Sequence, residues 1–186
     1  MVRTTLVALS LAVACLSDVT AQVTFERLLA ADQEPQNWLT YSGTNSGERH
    51  SRLEQVTPEN VSELELEWVF QAQSLQVFET TPLVVDGIMY LTEAPNTVVA
   101  LDARTGRVFW IYEHVPSLES RPCCGRVNRG LAILGETLFM ATIDAQLIAI
   151  DSVTGRPIWK TLVADPAIGY ATVSYTHLTL PTIYSV

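Results

Sequence analysis

Positive charge is scarce: 11 Lys and Arg stand against 20 Asp and Glu among 186 residues, for a net charge of −9. Without a basic cluster, the chain lacks the electrostatic footprint of a nucleic-acid binder or of a protein seated on an anionic membrane. Cysteine is scarcer still, at three residues, Cys15, Cys123 and Cys124. They form neither a CxxC pair nor a His/Cys cluster, which argues against structural zinc, and no CxxCH is present to attach a haem. Long apolar runs are also missing. The stretch Leu6–Leu16 has 11 residues, too few to span a bilayer. What remains is a folding chain: hydrophobic residues make up 48% and charged residues only 17%, enough for an ordinary domain with a core.

The first 21 residues read as an export leader. Arg3 supplies a positive start, Leu6–Leu16 the apolar stretch, and Val19-Thr20-Ala21 the small residues before a cut at Gln22. The alternatives are an N-terminal anchor and a lipoprotein cut before Cys15, the latter weakened because the aliphatic residue sits one place too early. Cleavage after Ala21 leaves Cys123 and Cys124 as neighbours in an oxidising compartment.

The strongest internal signal is a repeat. Ala100-Leu101-Asp102-Ala103-Arg104-Thr105-Gly106-Arg107-Val108-Phe109-Trp110 returns, 49 residues on, as Ala149-Ile150-Asp151-Ser152-Val153-Thr154-Gly155-Arg156-Pro157-Ile158-Trp159. The shared pattern is A-x-D-x-x-T-G-R-x-x-W, six identities in eleven positions without a gap. Fixed periods of this size mark solenoids and propellers. Upstream of each motif lie β-branched runs: 82–86, 88–91 and 97–101, then 131–134, 138–142 and 146–150. Asp86-Gly87 and Gly135-Glu136 sit where tight hairpin turns belong. Asp-x-x-Thr-Gly reads as a further turn, and a closing strand follows at 108–112 and 157–162. Four strands per repeat predict an all-β fold, a β-propeller, with Trp110 and Trp159 packed between blades rather than serving as a substrate platform. Two repeats do not close a ring, so the chain reads as part of a longer propeller.

Ahead of the repeats, Phe25–Leu29 has helical spacing. Thr57-Pro58-Glu59-Asn60 resembles a helix start, with Thr57 as cap. Leu64–Phe70 alternates every second residue and predicts a half-buried strand, suited to the outer edge of a ring-closing blade.

Chemistry concentrates between the repeats, in Arg121-Pro122-Cys123-Cys124-Gly125-Arg126-Val127-Asn128-Arg129-Gly130. Neighbouring Cα atoms lie about 3.8 Å apart, below the usual disulfide range of about 4.4–6.8 Å. A Cys123–Cys124 bond would be a strained, easily reduced, flat ring; two free thiols packed as small core residues are the other reading. Arginines and an Asn beside such a ring point to an anionic planar partner, because Arg grips carboxylates with two parallel hydrogen bonds. Arg126 on its own reads equally as a solvated surface charge.

This loop resembles the cofactor loop of the PQQ-dependent methanol and ethanol dehydrogenases. Three further stretches agree: Phe25–Asp32 running into Pro35–Gly43, Glu79–Tyr90, and the two Trp repeats. The resemblance covers roughly residues 23–172 and implies an eight-bladed propeller in the periplasm with PQQ near its axis. By the same resemblance, Cys123 and Cys124 form a vicinal disulfide on one face of PQQ, Arg129 hydrogen-bonds the reactive quinone oxygen, and Glu79 contacts the polar rim. It also implies a primary alcohol as substrate, a c-type cytochrome as electron acceptor, and a calcium or lanthanide ion that polarises the quinone carbonyl. The metal ligands and the Asp that takes the alcohol proton lie later in the family's chain, so no catalytic or metal-binding residue is assigned here and this stretch alone is expected to be inactive. The competing readings are a non-catalytic propeller scaffold of the outer-membrane assembly type and a sugar dehydrogenase of the same architecture; the adjacent cysteines favour alcohols.

The end of the chain departs from the pattern. Val173–Val186 contains no Asp, Glu, Lys or Arg and resembles translated sequencing adapter. The organisation expected is therefore a leader at 1–21, the N-terminal part of a PQQ-binding propeller at 22–172, and a non-native tail at 173–186. No role is assigned to Thr172 at the junction or to His177 in the tail.

Overall fold

The computed structural model describes residues 23–122 and 125–165. The expected leader at 1–21, the pair Cys123 and Cys124, and the expected tail at 173–186 lie outside the described residues.

Two four-stranded antiparallel sheets follow one another along the chain. The first is β1 (Leu83–Val85), β2 (Ile88–Glu93), β3 (Thr97–Asp102) and β4 (Val108–Glu113); the second is β5 (Ala132–Leu134), β6 (Thr137–Ala141), β7 (Gln146–Asp151) and β8 (Pro157–Leu162). Strands pair in sequence order within each sheet, so each is an up-and-down meander, as a propeller blade requires.

The turns explain the meanders. Val85 pairs with Ile88 across a two-residue loop in which Asp86 (φ 50°) and Gly87 (φ 84°) both take positive φ. That is the twist-matched type I′ arrangement favoured by Asp-Gly. After β3, the Asp102 carboxylate accepts the N–H groups of Arg104 (2.9 Å) and Thr105 (3.2 Å), and the chain reverses at Gly106. Asp151 does the same for Val153 and Thr154. The register then slips identically in both sheets. Ala100 faces Trp110 while Leu101 faces Val108, and Ala149 faces Trp159 while Ile150 faces Pro157. This bulge is part of the repeat, and it sets where each Trp emerges.

Trp110 lands on the glycine of the following motif, whereas Trp159, expected to pack between blades as well, is 44% exposed and meets only the Phe139 ring of its own sheet, among the described residues, with centroids 6.1 Å apart. A Cβ on Gly155 would stand 2.6 Å from the Trp110 ring. The Trp110 indole N–H donates to the Ser152 carbonyl at 3.1 Å, and the Tyr90 hydroxyl donates to the same oxygen at 3.3 Å. Trp110 thus packs between blades, as its position in the repeat predicts.

Leu64–Phe70 corrects the expectation of a strand: it pairs with no strand among the described residues, and Leu64, Leu66 and Val69 are exposed. Alternation reports two unlike environments, not a ladder. Trp68 and Phe70 pack on Leu91, Val99 and Leu101, and the Trp68 ring covers Gly106 as Trp110 covers Gly155. Trp68 therefore performs for the first sheet what a preceding blade's Trp would do. Thr57–Asn60 also differs from expectation. It forms a turn followed by a three-residue 3-10 helix, Val61–Glu63, because none of those residues has a buried face to extend a helix.

The core lies between the sheets. Val98 and Ala100 of β3 point into it with Leu83, Leu131, Leu138, Met140, Ile148 and Ile150, while Val99 and Leu101 point the other way, toward Trp68. Period-two alternation thus serves two apolar layers at once. Burying each such aliphatic side chain stabilises the fold by roughly 1.5–3 kcal/mol. The helix α1 (Phe25–Leu29), capped by Thr24, adds Leu28 to the core. Backbone bridges Val23–Gly135 and Trp38–Val84 tie the N-terminal segment to both sheets. Arg27 clasps Glu34 (2.7 Å) and Asp86 of the β1–β2 turn (2.6 Å).

Candidate cofactor site

Two segments meet at the start of the sheets: residues 79–81, which run into β1, and 125–130, which run into β5. A parallel bridge joins Thr81 to Gly130, and the Thr81 N–H donates to the Arg129 carbonyl at 3.1 Å. Gly130 takes φ 129°, and a Cβ there would stand 2.8 Å from the Thr81 carbonyl oxygen. Only glycine allows so close an approach of two backbones. Behind this bridge, the Thr80 and Thr92 hydroxyls lie 2.9 Å apart, and the Thr92 hydroxyl donates to the Asn128 carbonyl at 3.2 Å.

The bridge sets Glu79 and Arg129 side by side. Arg129 Nη2 lies 2.9 Å from Glu79 Oε2, with the side chains 32% and 39% exposed. These are two of the four residues expected at the cofactor; the other two, Cys123 and Cys124, lie outside the described residues. Arg121 and Arg126 are exposed, whereas Asn128 is buried. Its side-chain amide N–H donates to the Ala141 carbonyl (3.0 Å), and its side-chain oxygen Oδ1 accepts the Gly130 N–H (3.2 Å). Asn128 therefore shapes the loop from behind and presents nothing outward.

The front of the loop is held by residues that no spacing rule singles out. His114, just past β4, has Nε2 at 3.0 Å from Oδ2 and 3.1 Å from Oδ1 of Asp144, in the turn between β6 and β7. Asp144 also accepts the Ser117 N–H and the Gln146 side-chain amide, each at 3.1 Å. The Ser120 hydroxyl donates to the Ile143 carbonyl at 2.9 Å. Burial alone would raise the Asp144 pKa, but hydrogen bonds from Thr142, His114 and the Ser117 N–H outweigh it and hold the carboxyl below its usual range.

This arrangement fits the rim of a planar acid. A guanidinium carries five N–H donors, and Glu79 engages Nη2, so donors remain for carboxylate or quinone oxygens. Both side chains stay accessible while their backbones are fixed, which suits ligand binding more than a buried structural pair would. Among the described residues, no group of three or more His, Cys, Asp or Glu is placed to hold a metal ion.

Comparison with known proteins identifies the family. Residues 38–161 match the PQQ family described as the glucose/ethanol/alcohol dehydrogenase β-propeller domain. The dehydrogenase subunit of the quinone alcohol dehydrogenase of Gluconacetobacter polyoxogenes is 39% identical over 145 residues, which is 77% of this chain and 20% of that protein. Among solved structures, the quinohemoprotein alcohol dehydrogenase ADHIIG of Pseudomonas putida HK5 superposes with a TM-score of 0.73 at 37% identity, over 80% of this chain and 22% of its own. A europium-containing methanol dehydrogenase gives 0.71 at 38% identity, over 75% and 25%. The chain spans about a fifth of the length of the curated relatives it matches. Sheet topology, the repeated Trp–Gly packing and a match across most of the described residues agree, and the chain belongs to the PQQ β-propeller family of glucose, ethanol and alcohol dehydrogenases.

Proposed function

We propose that this chain forms one wall of the PQQ site in an enzyme that oxidises a primary alcohol. The observation that carries the reading is the accessible Arg129–Glu79 pair, fixed by the Thr81–Gly130 bridge on the loop that also bears Cys123 and Cys124. PQQ, when bound, supplies the two-electron acceptor that oxidation of an alcohol to an aldehyde requires. Arg129 donates to a quinone oxygen and favours the negative charge that gathers there, from a position its backbone already holds. Glu79 orients the Arg129 fork and accepts from the rim of the ligand. Cys123 and Cys124, joined as a vicinal disulfide, supply a flat apolar floor.

The metal ion, calcium or a lanthanide, is held by residues outside this stretch, and a c-type cytochrome takes the electrons. The reading includes export: residues 1–21 act as a leader to the periplasm, so the secreted protein begins at Gln22.

The test is titration of the full-length protein with PQQ in the presence of calcium or lanthanum. A spectral change on binding, followed by reduction of an acceptor dye with primary alcohols, is the expected result. Neither signal with any primary alcohol would overturn the reading in favour of a non-catalytic propeller scaffold.

A further inference from the structure

We infer that Asp144 is a positioning residue for the cofactor loop, fixing from the second blade the path by which the chain leaves β4 and reaches Arg129. The inference rests on the reading of residues 121–129 as that loop.

The connection from β4 to β5 is pinned at both ends to one structure, the β6–β7 hairpin. At its beginning, His114, Ser117 and Ser120 reach Asp144 and Ile143. At its end, Asn128 reaches Ala141. Asn96 closes the circuit from the first blade: its carbonyl accepts the His114 N–H at 3.1 Å, and its side-chain oxygen accepts the Ile143 N–H at 3.1 Å. Asp144 is the hub, since its carboxylate serves His114, Ser117 and Gln146 together.

Its side chain is 1% exposed and that of His114 is 9% exposed, so water does not replace the contacts when one partner is removed. Loss of the carboxylate leaves the Ser117 N–H and the His114 ring without their acceptor, and this portion of the connection must move to find water. The ladders of β6 with β7 and of β2 with β3 use other atoms and should persist. A carboxylate that merely braced a blade would have no reason to meet the connection at two separate residues.

The test compares Asp144→Ala and Asp144→Asn with Asp102→Ala in the full-length protein, with Asp102 serving as a turn carboxylate of the first blade remote from the loop. Hydrogen exchange and calorimetric titration with PQQ are measured on each. Asp144→Ala is expected to speed exchange across 115–122 while β2 and β3 keep their protection, and to weaken PQQ binding at least tenfold. Asp144→Asn keeps the shape and one acceptor oxygen and should lose at least threefold; it carries the test if the alanine variant does not fold. Asp102→Ala should lower Tm with PQQ affinity unchanged.

Wild-type PQQ affinity in both Asp144 variants, or unaltered exchange across 115–122, overturns the inference. If the wild-type full-length protein takes up no PQQ, the cofactor reading falls, and the exchange data still decide whether Asp144 holds the loop.

Discussion

Arg129 and Glu79 come from different ends of the first blade's circuit, yet their side chains meet at 2.9 Å because the backbones beside them are bridged at Thr81 and Gly130. A pair this exposed contributes at most about 1 kcal/mol to folding. Substitution should therefore separate stability from chemistry. Arg129→Lys keeps the charge but loses the planar fork, and kcat for dye reduction in the full-length, PQQ-loaded protein is expected to fall about 10²-fold, the scale for removing a donor aimed at developing charge. Glu79→Gln should leave Tm within a degree or two and weaken PQQ binding. A kcat unchanged by Arg129→Lys would remove Arg129 from the quinone oxygen.

The inter-blade glycines make a second prediction. Gly155 has φ 71° and faces the Trp110 ring, whereas Gly87 has φ 84° and nothing within 4 Å of a built Cβ. Gly87→Ala meets only the cost of a left-handed backbone, about 1 kcal/mol. Gly155→Ala adds overpacking against an indole that the Ser152 carbonyl holds in place, and should cost about 3 kcal/mol. Denaturant unfolding of the two variants checks the difference. Equal losses would mean that the Trp110 ring yields freely and is not a fixed inter-blade contact.

The Arg27 clasp should be visible in pH dependence. Hydrogen bonds from Arg27 hold the Glu34 and Asp86 carboxyls below their usual range. A carboxyl whose pKa is lower in the folded than in the unfolded chain adds stability above its unfolded value, about pH 4, and that stability is lost as pH falls through the folded value. Arg27→Met should therefore destabilise by about 1 kcal/mol at pH 7, and the gap in Tm to the parent should narrow on acidification toward pH 3. A gap that stays constant would assign the effect of Arg27 to the packing of its aliphatic stem.

These features differ in how readable they are from sequence. Asp86-Gly87 and the Asp-x-x-Thr-Gly motifs are local, so their turn chemistry and the strands they separate follow from a few neighbouring residues. The Trp repeat also declares its partner, since Trp110 and Gly155 both belong to it. Leu64–Phe70 misleads because alternation measures which side chains find apolar company, and Trp68 and Phe70 find it without a ladder. His114 and Asp144 lie in no motif, and the contact between them exists only once two blades have stacked. Asn128, read from the loop as a ligand-facing polar group, turns inward for the same reason: the Ala141 carbonyl that claims it belongs to the next blade.

The Thr81–Gly130 bridge bears on how the site can change. Since main-chain atoms fix the spacing there, side chains at 79 and 129 can be exchanged without altering the distance between their anchor points. A library varied at those two positions, with Gly130 left untouched, would sample new ligand chemistries on an unchanged frame. The same library built on Gly130→Ala would shift the frame itself.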